Sequence, residues 1–266
     1  MIDIHSHLLP QIDDGANGWE ESLAMARQAV SDGTTELAVT HHIVNNKEFS
    51  REPEILEKYN EMKKRLAAEK IPLKLHLGSE IFYQHEIELT ARIATLNNTG
   101  RYFLVEFPMQ GIPRGASDKF AQHVRSGIIP IIAHPERNAG FLKNPGRAFD
   151  FVQGGAFLQM NAGSLVGKYG EEVKDLAATL MNSRLIHFAG SDGHNTGRRS
   201  MRMGETYRLV CEKWGEKTAR QIFYDNPRKM LDGEELQVPA AVPVQSLKKN
   251  GGINPLRLLK RLVSSD

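Results

Sequence analysis

The first fifteen residues, MIDIHSHLLPQIDDG, carry His5, His7, Asp13 and Asp14. Imidazoles and carboxylates without a thiolate are the donor set of a Mn, Fe or Zn centre, not of a cysteine-type structural zinc site. His5 and His7 stand two apart at the exit of a short apolar run. Side chains at that spacing on a strand face the same side, so both rings can reach one cation. A single His-x-His is a weak signal, but comparable residues close each later apolar run. His42 follows TELAVT (35–40), Glu80 follows LKLHLG (73–78), and Glu106 lies in YFLVEF (102–107). His134 closes IIPIIAH (128–134), Asn161 closes AFLQMN (156–161), and Asp192 and His194 follow LIHFAGS (185–191). Together these read as a metal cluster. Carboxylates can bridge cations about 3.5–4 Å apart, the spacing used for in-line phosphoryl displacement.

Residues so far apart in sequence meet only if the fold brings the strand ends together. Between most of the apolar runs lie stretches with helical spacing. WEESLAMARQAVSDG puts Leu23, Ala26, Ala29 and Val30 on one face, with Gly33 as a stop. PEILEKYNEMKKRLAAEK opens on Pro53 with acids first and bases last, as a helix dipole favours. SDKFAQHVRSG, YGEEVKDLAATLMNS and RMGETYRLVCEKWG read the same way, and shorter helical pieces are expected within 81–98. Strands alternating with helices predict an α/β protein with a mainly parallel sheet, closed as a barrel. The C-terminal strand ends of such a barrel converge on one mouth, where active sites form.

The remaining candidates are weaker. His76, His85, His123 and His187 have no partner pattern and read as packed or solvated side chains. Strand alternation turns His41 away from His42, and His42 is the better ligand. Cys211 is followed by EKWGEK in a helical pattern, without the arginine-ended phosphate loop of a cysteine-dependent phosphatase, so it reads as a packed residue. No phosphate-binding GxxxxGK[ST] loop and no GxSxG elbow are present. A formal charge of +2 without a Lys/Arg stripe argues against a nucleic-acid partner. The N-terminus lacks a signal-peptide pattern, no apolar stretch is long enough for a membrane span, and one cysteine suits a reducing compartment. A cytoplasmic enzyme is therefore expected, its oligomeric state left open.

The segments DIHSHLLPQIDDG, TELAVTHH, GSEIFY, LVEFP, IIAHPER and AGSDGHN, in this order over residues 1–232, resemble the polymerase and histidinol phosphatase (PHP) superfamily. Within it the chain is similar to the manganese-dependent protein tyrosine phosphatases of bacterial capsular and exopolysaccharide operons. The resemblance implies a distorted (β/α)7 TIM-like barrel holding three divalent metal ions, most often Mn, with Fe, Zn or Mg as other occupants. It implies that His5, His7, Glu80 and Asp192 bind the first metal and that Glu80 bridges to a second, held also by Glu106 and His134. Asp14, His42 and His194 would hold the third. Asp13 is read as a support for Asp14 or a cap on the turn that follows. Arg137 of HPER and Arg199 of HNTGRRS match arginines that grip the phosphate, with Arg198 as the alternative in that double arginine.

The implied activity is hydrolysis of phosphotyrosine on the tyrosine-rich tail of a cognate bacterial tyrosine autokinase. A phenolate leaving group, with a pKa near 10, departs more readily than an alkoxide, and His42 is a candidate proton donor. The rival within the fold is a small-molecule phosphomonoesterase such as a histidinol phosphatase. A non-catalytic PHP module of a polymerase assembly is the rival outside enzymology, disfavoured by the full ligand set. Residues 1–234 are read as the phosphatase domain. Residues 235–266, punctuated by Pro and Gly and ending in a basic amphipathic stretch, are read as an extension, partly flexible or helical.

Overall fold

The computed structural model of the chain describes residues 1–244. Its strands are β1 (Ile2–Asp3), β2 (Glu36–Val39), β3 (His42–Ile43), β4 (Lys74–Leu77), β5 (Glu80–Phe82), β6 (Tyr102–Glu106), β7 (Ile129–Ala133), β8 (Phe157–Asn161) and β9 (Phe188–Gly190). Every pairing is parallel, in two sheets of order β1-β2-β4 and β3-β5-β6-β7-β8-β9. The fold is thus α/β with parallel sheets. The expected single ring of strands is not one continuous ladder.

The division comes from two interrupted runs. Thr40 and His41 separate β2 from β3, and Gly78 and Ser79 separate β4 from β5. The register survives the break: Val39 lies opposite Leu77 and His42 opposite Glu80. Across the gap the Glu80 amide donates to the His41 carbonyl at 3.0 Å. His42 and Glu80 therefore open short second strands and do not simply trail from the first. The chain leaving β1 is bonded on both sides. Thr40 N–H donates to the Ser6 carbonyl at 2.8 Å, while Asp192 N–H donates to His5 and His7 N–H to Gly193, each at 2.9 Å.

Helices cover the strands: α1 (Trp19–Ser31), α2 (Glu52–Ala68), α3 (Ala116–Arg125), α4 (Ala139–Lys143), α5 (Gly146–Gln153), α6 (Ala162–Leu165), α7 (Glu171–Asn182), α8 (Gly204–Trp214), α9 (Glu216–Arg220) and α10 (Asn226–Leu231). α1 opens on Glu20 and Glu21, buries Leu23, Met25, Ala26 and Ala29, and is followed by Gly33 at φ +95°. Met25 joins the expected buried face, and Val30 packs half-buried against the same core. α2 carries Pro53 in its first turn and buries Ile55, Met62 and Leu66. Of the helical pieces expected within 81–98, only a 3-10 turn at Leu96–Asn98 forms. The segment is instead tied down by side chains: Glu52 Oε2 accepts from the amides of Arg92 and Ile93, and Ser79 Oγ donates to the Ile93 carbonyl.

Successive residues of β6 and β7 go to opposite faces, both buried, as parallel sheets require. Tyr102, Leu104, Ile131 and Ala133 join Ile2, Ile4 and Phe188 on one side. Phe103, Val105 and Ile132 join Phe107, Phe120 and Phe151 on the other. After α10 the chain has no regular structure as far as residue 244, and Val242 N–H donates to the Ser183 carbonyl at 2.9 Å. The basic end of the extension lies outside the described residues. No described helix is long and apolar enough to cross a membrane. Cys211 is free and half-buried on α8.

His187 is packed at the start of β9. Its Nδ1 accepts from the Leu158 amide at 3.2 Å, and its Nε2 has no partner among the described residues. Burial pushes its pKa down to about 3. In the unfolded chain the group titrates near 6.5. Between those values the unfolded state binds a proton that the folded state does not, so stability falls as pH drops through this window, by at most about 1.4 kcal/mol per pH unit. In urea titrations of chelator-treated protein, His187→Asn is expected to flatten that loss between pH 6.5 and 4. An unchanged slope would show that another group sets the acid limit.

Candidate metal centre

Three imidazoles are oriented by the bonds they make outward. His5 Nδ1 lies 2.8 Å from Gln159 Oε1, and Gln159 Nε2 donates to the Met160 carbonyl, which identifies the oxygen as the atom facing His5. His7 Nδ1 lies 2.7 Å from Asp13 Oδ2, and His194 Nδ1 lies 2.9 Å from the Asp192 carbonyl. In the neutral ring, the form that binds a metal, an acceptor at Nδ1 makes that nitrogen the protonated one and leaves the lone pair on Nε2. All three Nε2 atoms point inward at carboxylates. His5 Nε2 is 3.1 Å from Glu80 and 3.6 Å from Asp192, and His7 Nε2 is 3.4 and 3.5 Å from the same two. His194 Nε2 is 3.1 Å from Asp14 Oδ1, yet it is buried without a hydrogen bond. Lone pairs that face carboxylate oxygens at such distances suit a shared cation, and the outward bonds are those that orient metal-binding histidines.

The remaining sequence candidates surround the same space. His42 places Nδ1 3.2 Å from Glu80 and Nε2 3.4 Å from Asp14. His134 Nε2 is 3.0 Å from Glu80 and 3.7 Å from Glu106. Donor atoms within 4.8 Å of one another fall into three overlapping groups: His7, Asp14, His42 and His194; His5, His7 and Glu80; and His42, Glu80 and Glu106. His7 is thus shared between the first two groups, and His42 between the first and third.

Two backbone devices bring these groups together. His134 and Asp192 adopt φ of +30° and +51°, left-handed conformations uncommon for side-chain-bearing residues, at the turns leaving β7 and β9. Glycines allow the close approaches. A Cβ on Gly190 would lie 2.6 Å from that of His5, and one on Gly15 would lie 2.2 Å from the His7 carbonyl oxygen.

Arg137 and Arg199 meet on Asp192: Arg137 Nη1 is 2.6 Å from Oδ2 and Arg199 Nη2 is 3.0 Å from Oδ1. Arg199 Nη1 also reaches Asp14 at 3.2 Å. Arg198 is exposed and outside the cluster. Asp13 caps the turn through the Gly15 amide, as one of its two readings had it, but its second oxygen serves His7 and the His42 amide and not Asp14. Asn161 donates to Asp192 at 2.9 Å. His41 turns away to Ser79, and His76 pairs with Glu36.

Gln159 and Tyr169 escaped the sequence reading. Gln159 carries a signal, since it stands two residues before Asn161 on one strand. Tyr169 opens a stretch read as helical, but α7 begins only at Glu171, and the Tyr169 ring stacks on the Arg137 guanidinium, 4.4 Å away.

The electrostatics follow from this crowding. Burial pulls His5 down, but Glu80 and Asp192 outweigh it and push the ring up to about 10. His42 is also pushed up, to about 9, against burial, by Asp14 and Glu80. His194 goes the other way through burial. Burial and then the neighbouring Glu80 charge raise Glu106. Without a cation, the protons held by His5 and His42 lie between the rings and the carboxylates, the places a metal ion would take, so the residues fit a metal centre.

A family model described as capsular polysaccharide synthesis, CpsB/CapC, matches residues 1–232. The chain belongs to this family. The tyrosine-protein phosphatase YwqE of Bacillus subtilis (strain 168) is 39% identical over 256 residues, 94% of this chain and 99% of that protein. The tyrosine-protein phosphatase CpsB of Streptococcus pneumoniae is 30% identical over 239 residues, 87% of this chain and 98% of that protein. A chain from the crystal structures of YwqE and CpsB, described there as unique metal-dependent tyrosine phosphatases, matches with a TM-score of 0.86 at 35% identity. The match covers 92% of this chain and 100% of that one.

In this CpsB/CapC protein, Asp13 touches no inward-facing atom and acts through His7. Asp13→Asn is therefore expected to weaken metal binding by about 10- to 100-fold while the donor atoms stay in place. Titration of chelator-stripped protein with Mn checks this, and wild-type affinity in the variant would remove Asp13 from the centre.

Proposed function

We propose that the chain is a metal-dependent protein tyrosine phosphatase of capsular polysaccharide synthesis. The observation that carries the reading is the joining of two features at Asp192. Its carboxylate faces the inward imidazole lone pairs and anchors both Arg137 and Arg199. Metal donors and phosphate-binding guanidiniums thus share one wall.

In this reading His5, His7, Glu80 and Asp192 hold one ion, Glu80, Glu106 and His134 a second, and Asp14, His42 and His194 a third, with manganese the preferred occupant. Such cations lower the pKa of a coordinated water towards neutrality and offset charge on phosphoryl oxygens. The chain's own residues do the positioning. Arg137 and Arg199 present planar, permanently charged forks that match phosphate oxygens and exchange Asp192 for the substrate. Tyr169 holds the Arg137 plane by stacking. His42, a quarter exposed, directs Nε2 to Asp14 and Nδ1 to Glu80, so as a ligand of the third ion it leaves protonation of the departing phenolate to solvent.

The rim favours a protein substrate. Asp14 is 58% exposed and Arg199 31%, so an extended phosphotyrosine segment can reach the centre without a closed pocket. The partner proposed is a tyrosine-phosphorylated protein, a bacterial tyrosine autokinase in particular, in the cytoplasm. Residues 1–234 are taken as the catalytic unit. The two sheets are taken as one distorted seven-stave barrel, supported by the backbone bonds that flank residues 5–7 on both sides.

The test is turnover of a phosphotyrosine peptide against histidinol phosphate on chelator-stripped protein, with Mn added in steps. Peptide turnover that returns only with metal is expected. Preference for histidinol phosphate would transfer the function to small-molecule chemistry, and turnover without metal would overturn the centre. Arg137→Ala and Arg199→Ala are each expected to lower kcat/KM about 100-fold or more with metal content unchanged. Arg198→Ala and Cys211→Ser should stay near wild type, and loss of activity in Cys211→Ser would point to a cysteine mechanism.

A further inference from the structure

The chemistry above leaves a second concavity unused. A cleft of about 470 Å³ lies between α1, the loop after α6 and the segment that carries Arg199 into α8. Its charged lining residues are Asp32, Lys168, Arg202, Glu205 and Arg208. Asp32 is already committed: its Oδ2 accepts from the amides of Met203 and Gly204, each at 2.6 Å, at the start of α8. The cations are not committed to carboxylates. Lys168 Nζ reaches Ser200 Oγ at 3.3 Å, Arg208 Nε reaches the Gly204 carbonyl at 3.3 Å, and among the described residues none of Lys168, Arg202 and Arg208 forms an ion pair. Asp32 and Glu205 oppose them, so the lining carries one net positive charge.

The cleft is linked through the chain to the phosphate-binding wall at two points. Lys168 precedes Tyr169, whose ring stacks on Arg137, and Ser200 follows Arg199. The intervening loop is fastened to α1. Gln28 Oε1 accepts from the Met201 amide at 3.1 Å, and Gln28 Nε2 donates to the Thr196 carbonyl at 3.0 Å. Arg199 and one side of the cleft are therefore parts of one braced segment.

We propose that this cleft is an anion subsite that binds an acidic group flanking the phosphotyrosine, a carboxylate or a second phosphate. The preferred substrates are then acidic or multiply phosphorylated tyrosine segments. The proposal rests on the phosphatase reading of the metal centre. Exposed cations at a rim act mainly on capture and are screened by salt, so the effect belongs in KM and shrinks at high ionic strength.

The experiment uses the Mn-loaded protein and three peptides that share one phosphotyrosine: one with neutral flanks, one with glutamate flanks, and one with a neighbouring second phosphotyrosine. At low salt an anionic flank is expected to lower KM about 5- to 10-fold relative to the neutral peptide. Whichever anionic peptide gains more identifies the group that the cleft receives. The ratio of KM values is expected to fall towards 1 in a Lys168→Met, Arg202→Gln double variant and to rise in Glu205→Gln, a change that needs no loss of structure. Equal KM values for all three peptides in the wild type, or ratios unmoved by both variants, would overturn the subsite while leaving the phosphatase intact. No hydrolysis of the neutral peptide by the Mn-loaded wild type would instead overturn the phosphatase reading itself.

Discussion

Glu80 is 1% exposed and faces four imidazoles at once: His5 at 3.1 Å, His7 at 3.4 Å, His42 at 3.2 Å and His134 at 3.0 Å. An ionised carboxylate taken out of water costs several kcal/mol unless positive charge and hydrogen-bond donors surround it. Although burial opposes ionisation, His5, His134 and His7 hold the Glu80 carboxyl well below its usual range. The rest of the fold can be understood as the apparatus that keeps this group compensated. Its neighbours come from strands β3 and β7 or their exits and from the chain leaving β1, so the compensation depends on parallel strands meeting at one end.

That requirement explains features that would otherwise weaken a fold. Left-handed backbone at His134 and Asp192 costs on the order of 1 kcal/mol or more each, and both residues project into the cluster. Gly190 and Gly15 give up side-chain packing so that His5 and His7 can be approached. The breaks within the second and third strand runs set His42 opposite Glu80 without loss of register. Local preference is overridden wherever it conflicts with convergence on the centre.

The same division decides what could be read from the sequence. Most strands and long helices were legible because hydrophobic spacing records burial, and the strand-end residues were legible because parallel strands share an exit. The second strands that follow Thr40–His41 and Gly78–Ser79 were not, since two or three residues are too few to show a period. The segment at 81–98 looked helical from composition, but its backbone is held by Glu52 and Ser79, partners distant in sequence. Asp13 and Asp14 are indistinguishable as a pair of letters. Only the turn at Gly15 sends one to His7 and the other to His42 and His194. Tyr169 was legible only as the first residue of a helical stretch, because its place against Arg137 is set by tertiary packing.

β8 contributes no metal donor to the cluster, yet it carries two of the side chains that govern it. Gln159 sets the proton of His5, and Asn161 holds one oxygen of Asp192. The basicity of a ligand can thus be altered from this strand without changing any donor atom or the shape of the mouth. An acceptor stronger than an amide at position 159 would make His5 a more electron-rich donor, and a weaker one would make it poorer. The affinity for a cation held by His5 would therefore be open to tuning from a strand that supplies no donor itself.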